Sequence, residues 1–278
     1  MAGERIKGTV LTFFSTASAV GKTLLSCNMA AEIARRGART CVVDLDLQFG
    51  DVCNYLQISP TRTIADAQQA LNVQGDSCRV QEFLLPFDYD EVIFYVMASP
   101  TKLEEAYNMS VESIKNILKK LQEIFDYVIV DTSSMFSELN LAVLDMSTII
   151  FFMGIVDFIP TIKNMKIGSD TLKELNYDKD KIRYVLNRSD AVTRIPIEEV
   201  ENHLLNTRFD FVVLNNFKVA SRSIQTGVPL VFDDGATDIG MSIKDMVTLC
   251  TNRGKSEIAV QKQEKKSSGS LFSRLFGG

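Results

Sequence analysis

The sequence predicts an α/β fold: a doubly wound, mostly parallel sheet with helices on both faces. Three observations predict it. Short apolar runs alternate with helical segments along most of the chain. The runs are continuously apolar rather than alternating, as strands covered on both faces are. The segments between them carry apolar residues at helical spacing. The 278 residues suffice for one large domain or two small ones, with a core that needs neither disulfides nor metal.

The strand-like runs are Thr9–Phe14, Thr40–Leu45, Val92–Met97, Tyr127–Val130, Thr148–Met153, Ile182–Leu186 and Phe209–Leu214. The most apolar stretch, Ile149 to Val156, ends at Asp157. It is too short to span a bilayer and reads as a buried parallel strand. Among the helical segments, Lys22–Arg36 stops at Gly37, a residue suited to a helix end. Val111–Ile124 repeats apolar residues at Val111, Ile114, Ile117, Leu118, Leu121 and Ile124, a helical period. Thr161–Leu175 and Ile197–Leu205 complete the set. The domain is expected to span 1–251. A polar linker follows over 252–270, rich in Lys, Glu, Gln, Ser and Gly, and an apolar tip over 271–278.

Composition narrows the function classes. Hydrophobic residues make up 46% and charged residues 23%, ordinary for a folded globule. A net charge of −5 argues against the body being a nucleic-acid binder. The five cysteines, Cys27, Cys41, Cys53, Cys78 and Cys250, form no C-x-x-C pair and read as free thiols of a reducing compartment. With His203 the sole histidine, a histidine metal site or catalytic triad is disfavoured. The start of the chain shows no signal-peptide pattern and runs through Glu4, Arg5 and Lys7 into a strand, so a cytoplasmic location is expected.

The chemistry centres on Thr16-Ala17-Ser18-Ala19-Val20-Gly21-Lys22-Thr23, between the first strand and the first helix. A phosphate-binding loop needs this placement, because backbone N–H groups and the helix N-terminus then face the anion. Ser18, Ala19, Val20, Gly21, Lys22, Thr23 and Leu24 are the expected contacts to ATP. Lys22 is expected on the β- and γ-phosphates, and the Thr23 hydroxyl on Mg²⁺. Thr16 stands where the usual G-x-x-x-x-G-K-[ST] pattern has its first glycine. Two carboxylates strengthen the reading. Asp46 lies just past the second strand and Asp131 ends Tyr127-Val128-Ile129-Val130-Asp131, at the strand ends where open α/β sheets bind ligands. A strand-end carboxylate of this kind holds the Mg²⁺ shell in P-loop proteins.

With these pieces in place, the sequence resembles the deviant-Walker ATPases of the MinD/ParA family. The resemblance runs over roughly residues 8–231. It also draws on Val185-Leu186-Asn187-Arg188 and Gln225-Thr226-Gly227-Val228-Pro229. The segments Asp44-Leu45-Asp46-Leu47-Gln48-Phe49-Gly50-Asp51 and Thr63-Ile64-Ala65-Asp66, with the strand ending in Asp131-Thr132, are most similar to the CpaE/TadZ branch, which positions Flp/Tad pilus assembly. The resemblance implies ATP and Mg²⁺ as ligands and a face-to-face homodimer around nucleotide. It implies Asp46 as the switch residue near the attacking water, placed with Thr23 and Asp131 on the Mg²⁺ side. It also implies Asn187 and the backbone near Gly227 and Pro229 as adenine contacts, although Asn187 reads equally as a turn-forming residue after a strand.

One departure matters. The family's signature lysine, which reaches the partner's nucleotide, aligns with Ala17. Loss of a charge that stabilises a transition state costs roughly a hundred-fold or more in rate, so slow hydrolysis is expected unless Arg188 or Lys218 substitutes. At the other end, Leu271, Phe272, Leu275 and Phe276 share one face of a helix beside Lys265, Lys266 and Arg274. That is the pattern of an interfacial anchor, and it resembles the membrane-targeting tip of MinD proteins. Burying four such side chains yields roughly 6–10 kcal/mol before ordering costs. Two tips in a dimer gain avidity. The expected role is a spatial regulator at the inner face of the membrane that recruits a pilus or secretion assembly. Competing readings are a division-site or flagellar-number regulator, a metabolic P-loop enzyme, for which no second acid, base or metal constellation is present, and a DNA-partition protein, which the charge disfavours.

Overall fold

The computed structural model describes residues 7–157, 159–189, 196–233 and 237–251. In chain order β1 is Thr9–Ser15, α1 Lys22–Arg35, β2 Thr40–Leu45, α2 Val52–Leu56, α3 Ile64–Gln74, β3 Leu85–Tyr89, β4 Val92–Met97, α4 Leu103–Tyr107 and α5 Val111–Ile124. Then come β5 Tyr127–Thr132, α6 Glu138–Met146, β6 Ile149–Gly154, α7 Ile159–Glu174, β7 Ile182–Asn187, α8 Ile197–Glu199, β8 Phe211–Val213 and α9 Phe217–Thr226. A last helix, α10, covers 238–251. The strands form one eight-stranded sheet in the order β3-β4-β2-β5-β1-β6-β7-β8. All neighbours are parallel except β3 and β4. This is the doubly wound α/β fold.

Alternation along the central strand splits the core into two layers. Leu11 and Phe13 pack with α1 and α10 through Met29, Ile33, Ile243 and Met246. Val10 faces the other way, against α5 through Ile117, Leu118 and Leu121, and Phe14 joins Phe152 of β6 and Met165 and Leu172 of α7. Strand register brings the functional ends level. Asp44 pairs with Asp131, Phe13 with Asp131, and Ser15 with Met153. The carboxyl ends of β2, β5, β1, β6, β7 and β8 therefore open onto one crevice, where ligands bind in such sheets.

Several elements differ from the sequence expectation. Strand β3 was not foreseen, because Pro86 argues against a strand; the structure places it at the sheet edge, where a missing N–H donor is tolerated. Its hairpin to β4 turns through Asp90 and Glu91 at φ 49° and 65°, without the Asn-Gly or Asp-Gly signal that marks such turns. Helices α2, α3, α4, α6, α9 and α10 were also unforeseen. The expected helix Ile197–Leu205 is a single α-turn, α8, that widens into a π-helical segment Val200–Leu205. Strand β8 is shorter than Phe209–Leu214. The expected tip at Leu271, Phe272, Leu275 and Phe276, and the linker before it, lie outside the described residues. Among the described residues, no helix is long and apolar enough to cross a membrane.

Candidate functional site

The loop after β1 is built by two left-handed residues, Ala19 at φ 58° and Gly21 at φ 96°. Gly21 sits at the N-cap of α1, and α1 has neither a side-chain cap nor an acidic residue in its first turn. By contrast α3, α5 and α6 are capped by Thr63, Ser110 and Ser137. The first N–H groups of a helix lack intrahelical partners and carry partial positive charge. At α1 no side chain of the protein answers that charge from the cap.

Lys22 reaches across the loop. Its Nζ donates to Ser134 Oγ at 2.8 Å and to Ser15 Oγ at 3.3 Å. Both serine hydroxyls donate to the Ala17 carbonyl, at 2.7 and 3.0 Å. Burial pushes the Lys22 ammonium below its usual pKa, while the nearby charges of Asp131 and Asp46 oppose the shift. The Thr23 hydroxyl donates to Asp131 Oδ2 at 2.6 Å. Asp131 is buried, and its Oδ1 has no hydrogen-bond partner. Burial raises its pKa to about 6, with the Thr23 hydrogen bond and Lys22 pulling the other way. Asp44, buried one strand over, is also raised, first by burial and then by Asp131. It is held by the N–H groups of Asp46 and Val52 at 3.2 and 3.1 Å.

Of these residues Lys22, Thr23, Asp46 and Ser134 line a cleft of about 710 Å³, while Asp131 is buried and is not in its wall. Its wall also carries Ser18, Ala19, Gly21, Leu24, Asp51, Thr132, Asp157, Asn187, Arg188, Leu214, Asn215, Asn216, Phe217, Ala220 and Ile224. The Val20 side chain instead enters the core. Asn187 donates from Nδ2 to the Val20 carbonyl at 2.8 Å, and its Oδ1 accepts the Arg188 N–H at 3.0 Å. Arg188 donates to the Ala19 carbonyl at 3.1 Å, whereas Lys218 does not line the cleft.

The structure corrects two expectations. Gly227 and Pro229 do not line this cleft. Gly227 is the left-handed C-cap of α9, and a Cβ there would meet Gln57 at 2.9 Å. Pro229 lines a separate hollow with Tyr89, Arg222 and Phe232. The turn after α9 carries both away, and α9 itself lines the cleft through Phe217, Ala220, Ser221 and Ile224. Sequence reasoning also missed Ser134, Asp51 and Asp157. Ser134 and Asp157 follow β5 and β6, so the strand-end rule that found Asp131 was their available signal.

Comparison with known proteins fits this geometry. Residues 8–167, more than half of the chain, match the model of the AAA domain family. The chain belongs to the AAA domain family. It is 29% identical over 125 residues to the septum site-determining protein MinD of Bacillus subtilis (strain 168). That alignment covers 45% of this chain and 44% of the relative, so the match spans less than half of either protein. The ParA family ATPase from Chlorobium tepidum TLS superposes with a TM-score of 0.78 at 18% identity, covering 88% of this chain and 99% of that one. The MinD of Pyrococcus horikoshii OT3, complexed with Mg-ADP, gives 0.71 at 15% identity, covering 86% and 94%. The two structures show the shared fold.

The residues present fit a magnesium nucleotide. The uncapped α1 N-terminus and Lys22 suit phosphate. A Thr23 hydroxyl that donates to Asp131 keeps its lone pairs for a cation, and the unpartnered Asp131 Oδ1 suits a metal-bound water. Among the described residues no three His, Cys, Asp or Glu side chains gather to hold a metal by themselves. Mg²⁺ does not require that, since it takes one or two protein ligands together with phosphate and water.

Proposed function

We propose that this chain is an ATP- and Mg²⁺-binding spatial regulator, peripheral to the inner face of the cell membrane, which positions or recruits a Flp/Tad-type pilus or secretion assembly. It dimerises with ATP and hydrolyses it slowly. The observation that carries the nucleotide reading is the α1 N-terminus, left without a cap beside a buried lysine and the Thr23–Asp131 pair. Bound Mg²⁺ supplies charge neutralisation for the phosphates. The protein's part is to orient. The ammonium of Lys22 exchanges Ser134 and Ser15 for phosphate oxygens. Thr23 and Asp131 hold the metal side, and Asp46 stands in the cleft wall.

Slow turnover is supported by Ala17, which leaves Lys22 and Arg188 as the cations of the cleft wall among the described residues. Dimerisation is supported by an apolar rim: Phe49 and Phe217 are 74% and 78% exposed. A second copy is the occupant that the family resemblance implies. The pilus assignment rests on the Asp44–Asp51 and Thr63–Asp66 segments. The likeness to MinD favours a division-site regulator as the second reading.

Sedimentation with anionic vesicles, alongside light scattering, tests the proposal. The full chain is expected to dimerise and co-sediment with ATP but not with ADP, and a chain ending at Ser270 is expected to dimerise without sedimenting. A monomer in every nucleotide state, or equal sedimentation of both forms, contradicts it.

A further inference from the structure

The phosphate loop of this chain is not shaped by glycine alone. Ala19 holds a left-handed φ of 58°, a conformation in which the Cβ of an L-residue crowds the following carbonyl oxygen. Something outside the loop must sustain that conformation. Two consecutive residues at the end of β7 contact two consecutive loop carbonyls. Asn187 donates to Val20 O at 2.8 Å and Arg188 donates to Ala19 O at 3.1 Å. The Arg188 N–H bonds Asn187 Oδ1 at 3.0 Å, which fixes the amide with its NH₂ toward the loop. Arg188 itself is left-handed at φ 56°.

We propose that Asn187 and Arg188 are positioning residues that clamp the loop in its anion-binding shape before any ligand arrives; the proposal rests on the nucleotide reading above. The reason lies in peptide geometry. Across a trans peptide the C=O and the following N–H point in opposite directions. Holding the Ala19 and Val20 carbonyls on one side therefore turns the Val20 and Gly21 N–H groups to the other, the arrangement of an anion nest. The clamp also accounts for Gly21. A Cβ there would lie 2.4 Å from Asn187 Nδ2, so the amide crosses the space that the glycine leaves empty. Asn187 is thereby committed to the loop, and its role extends beyond any contact with a base.

The test compares wild type, Arg188→Met and Arg188→Lys by titration with Mg-ATP and with Mg-tripolyphosphate, which has no base or sugar. One lost hydrogen bond predicts a roughly three- to tenfold weaker affinity in Arg188→Met. The factor is the same for both ligands, Arg188→Lys restores it, and the salt dependence of binding is unchanged. A loss confined to ATP shows a base or sugar contact and overturns the clamp. A shallower salt dependence shows direct charge contact with phosphate and overturns it too. Unchanged affinity in Arg188→Met overturns it while leaving the nucleotide reading intact; a wild type that binds neither ligand removes both. If Arg188→Met does not fold, Arg188→Ala is read by the same criteria.

Discussion

At the residue scale, the site depends on short polar contacts that close only because neighbouring positions are small. Gly21 is the sharpest case. Its φ of 96° and the 2.4 Å approach of Asn187 to a would-be Cβ exclude any side chain. Gly21→Ala is expected to destabilise the protein by about 1–3 kcal/mol in urea denaturation, the cost of such backbone strain, and to abolish binding of Mg-ATP. A variant of wild-type stability and affinity contradicts the account. Lys22, Thr23 and Asp131 were legible because loop and strand-end carboxylate are local patterns. Ser134 follows a strand end but, like Ser15, has no charge or period to single it out, and only the fold shows that both meet Lys22. Gly227 and Pro229 misled because a short motif fixes a turn but not the wall it faces.

At the element scale, side-chain caps hold α3, α5, α6 and α9, while α1 begins without one at the cleft. Thr63 caps α3 by accepting the Ala65 N–H at 3.2 Å, and Asp66 returns the bond to the Thr63 N–H at 2.8 Å. Thr63→Ala is expected to cost about 1 kcal/mol, read as a lower urea midpoint with faster amide exchange in α3 and unchanged nucleotide affinity. A loss of affinity instead ties α3 to the site. The long buried strands and α5 were legible from their continuous or periodic apolar residues. The short helices α2 and α4 are too brief to show a period. The β3 hairpin hides behind Pro86 and a turn of two non-glycine residues with positive φ. These elements are specified by tertiary packing, as Leu85 and Phe87 against the core show.

At the scale of the whole molecule, one eight-stranded sheet gathers six strand ends around one cleft, and that cleft carries the central claim of ATP and Mg²⁺ binding with little turnover. The doubly wound fold was legible because parallel buried strands leave a distinctive apolar pattern. The proposed partner and membrane contact rest on resemblance and a tail pattern alone. The most direct measurement is a calorimetric titration of wild type and Lys22→Ala with ATP, with and without Mg²⁺, followed by phosphate release from the same samples. The account predicts Mg²⁺-dependent binding to wild type, its loss in Lys22→Ala, and phosphate release that stays slow. No binding to wild type contradicts the site, and brisk Mg²⁺-dependent release abolished by Lys22→Ala contradicts the consequence drawn from Ala17.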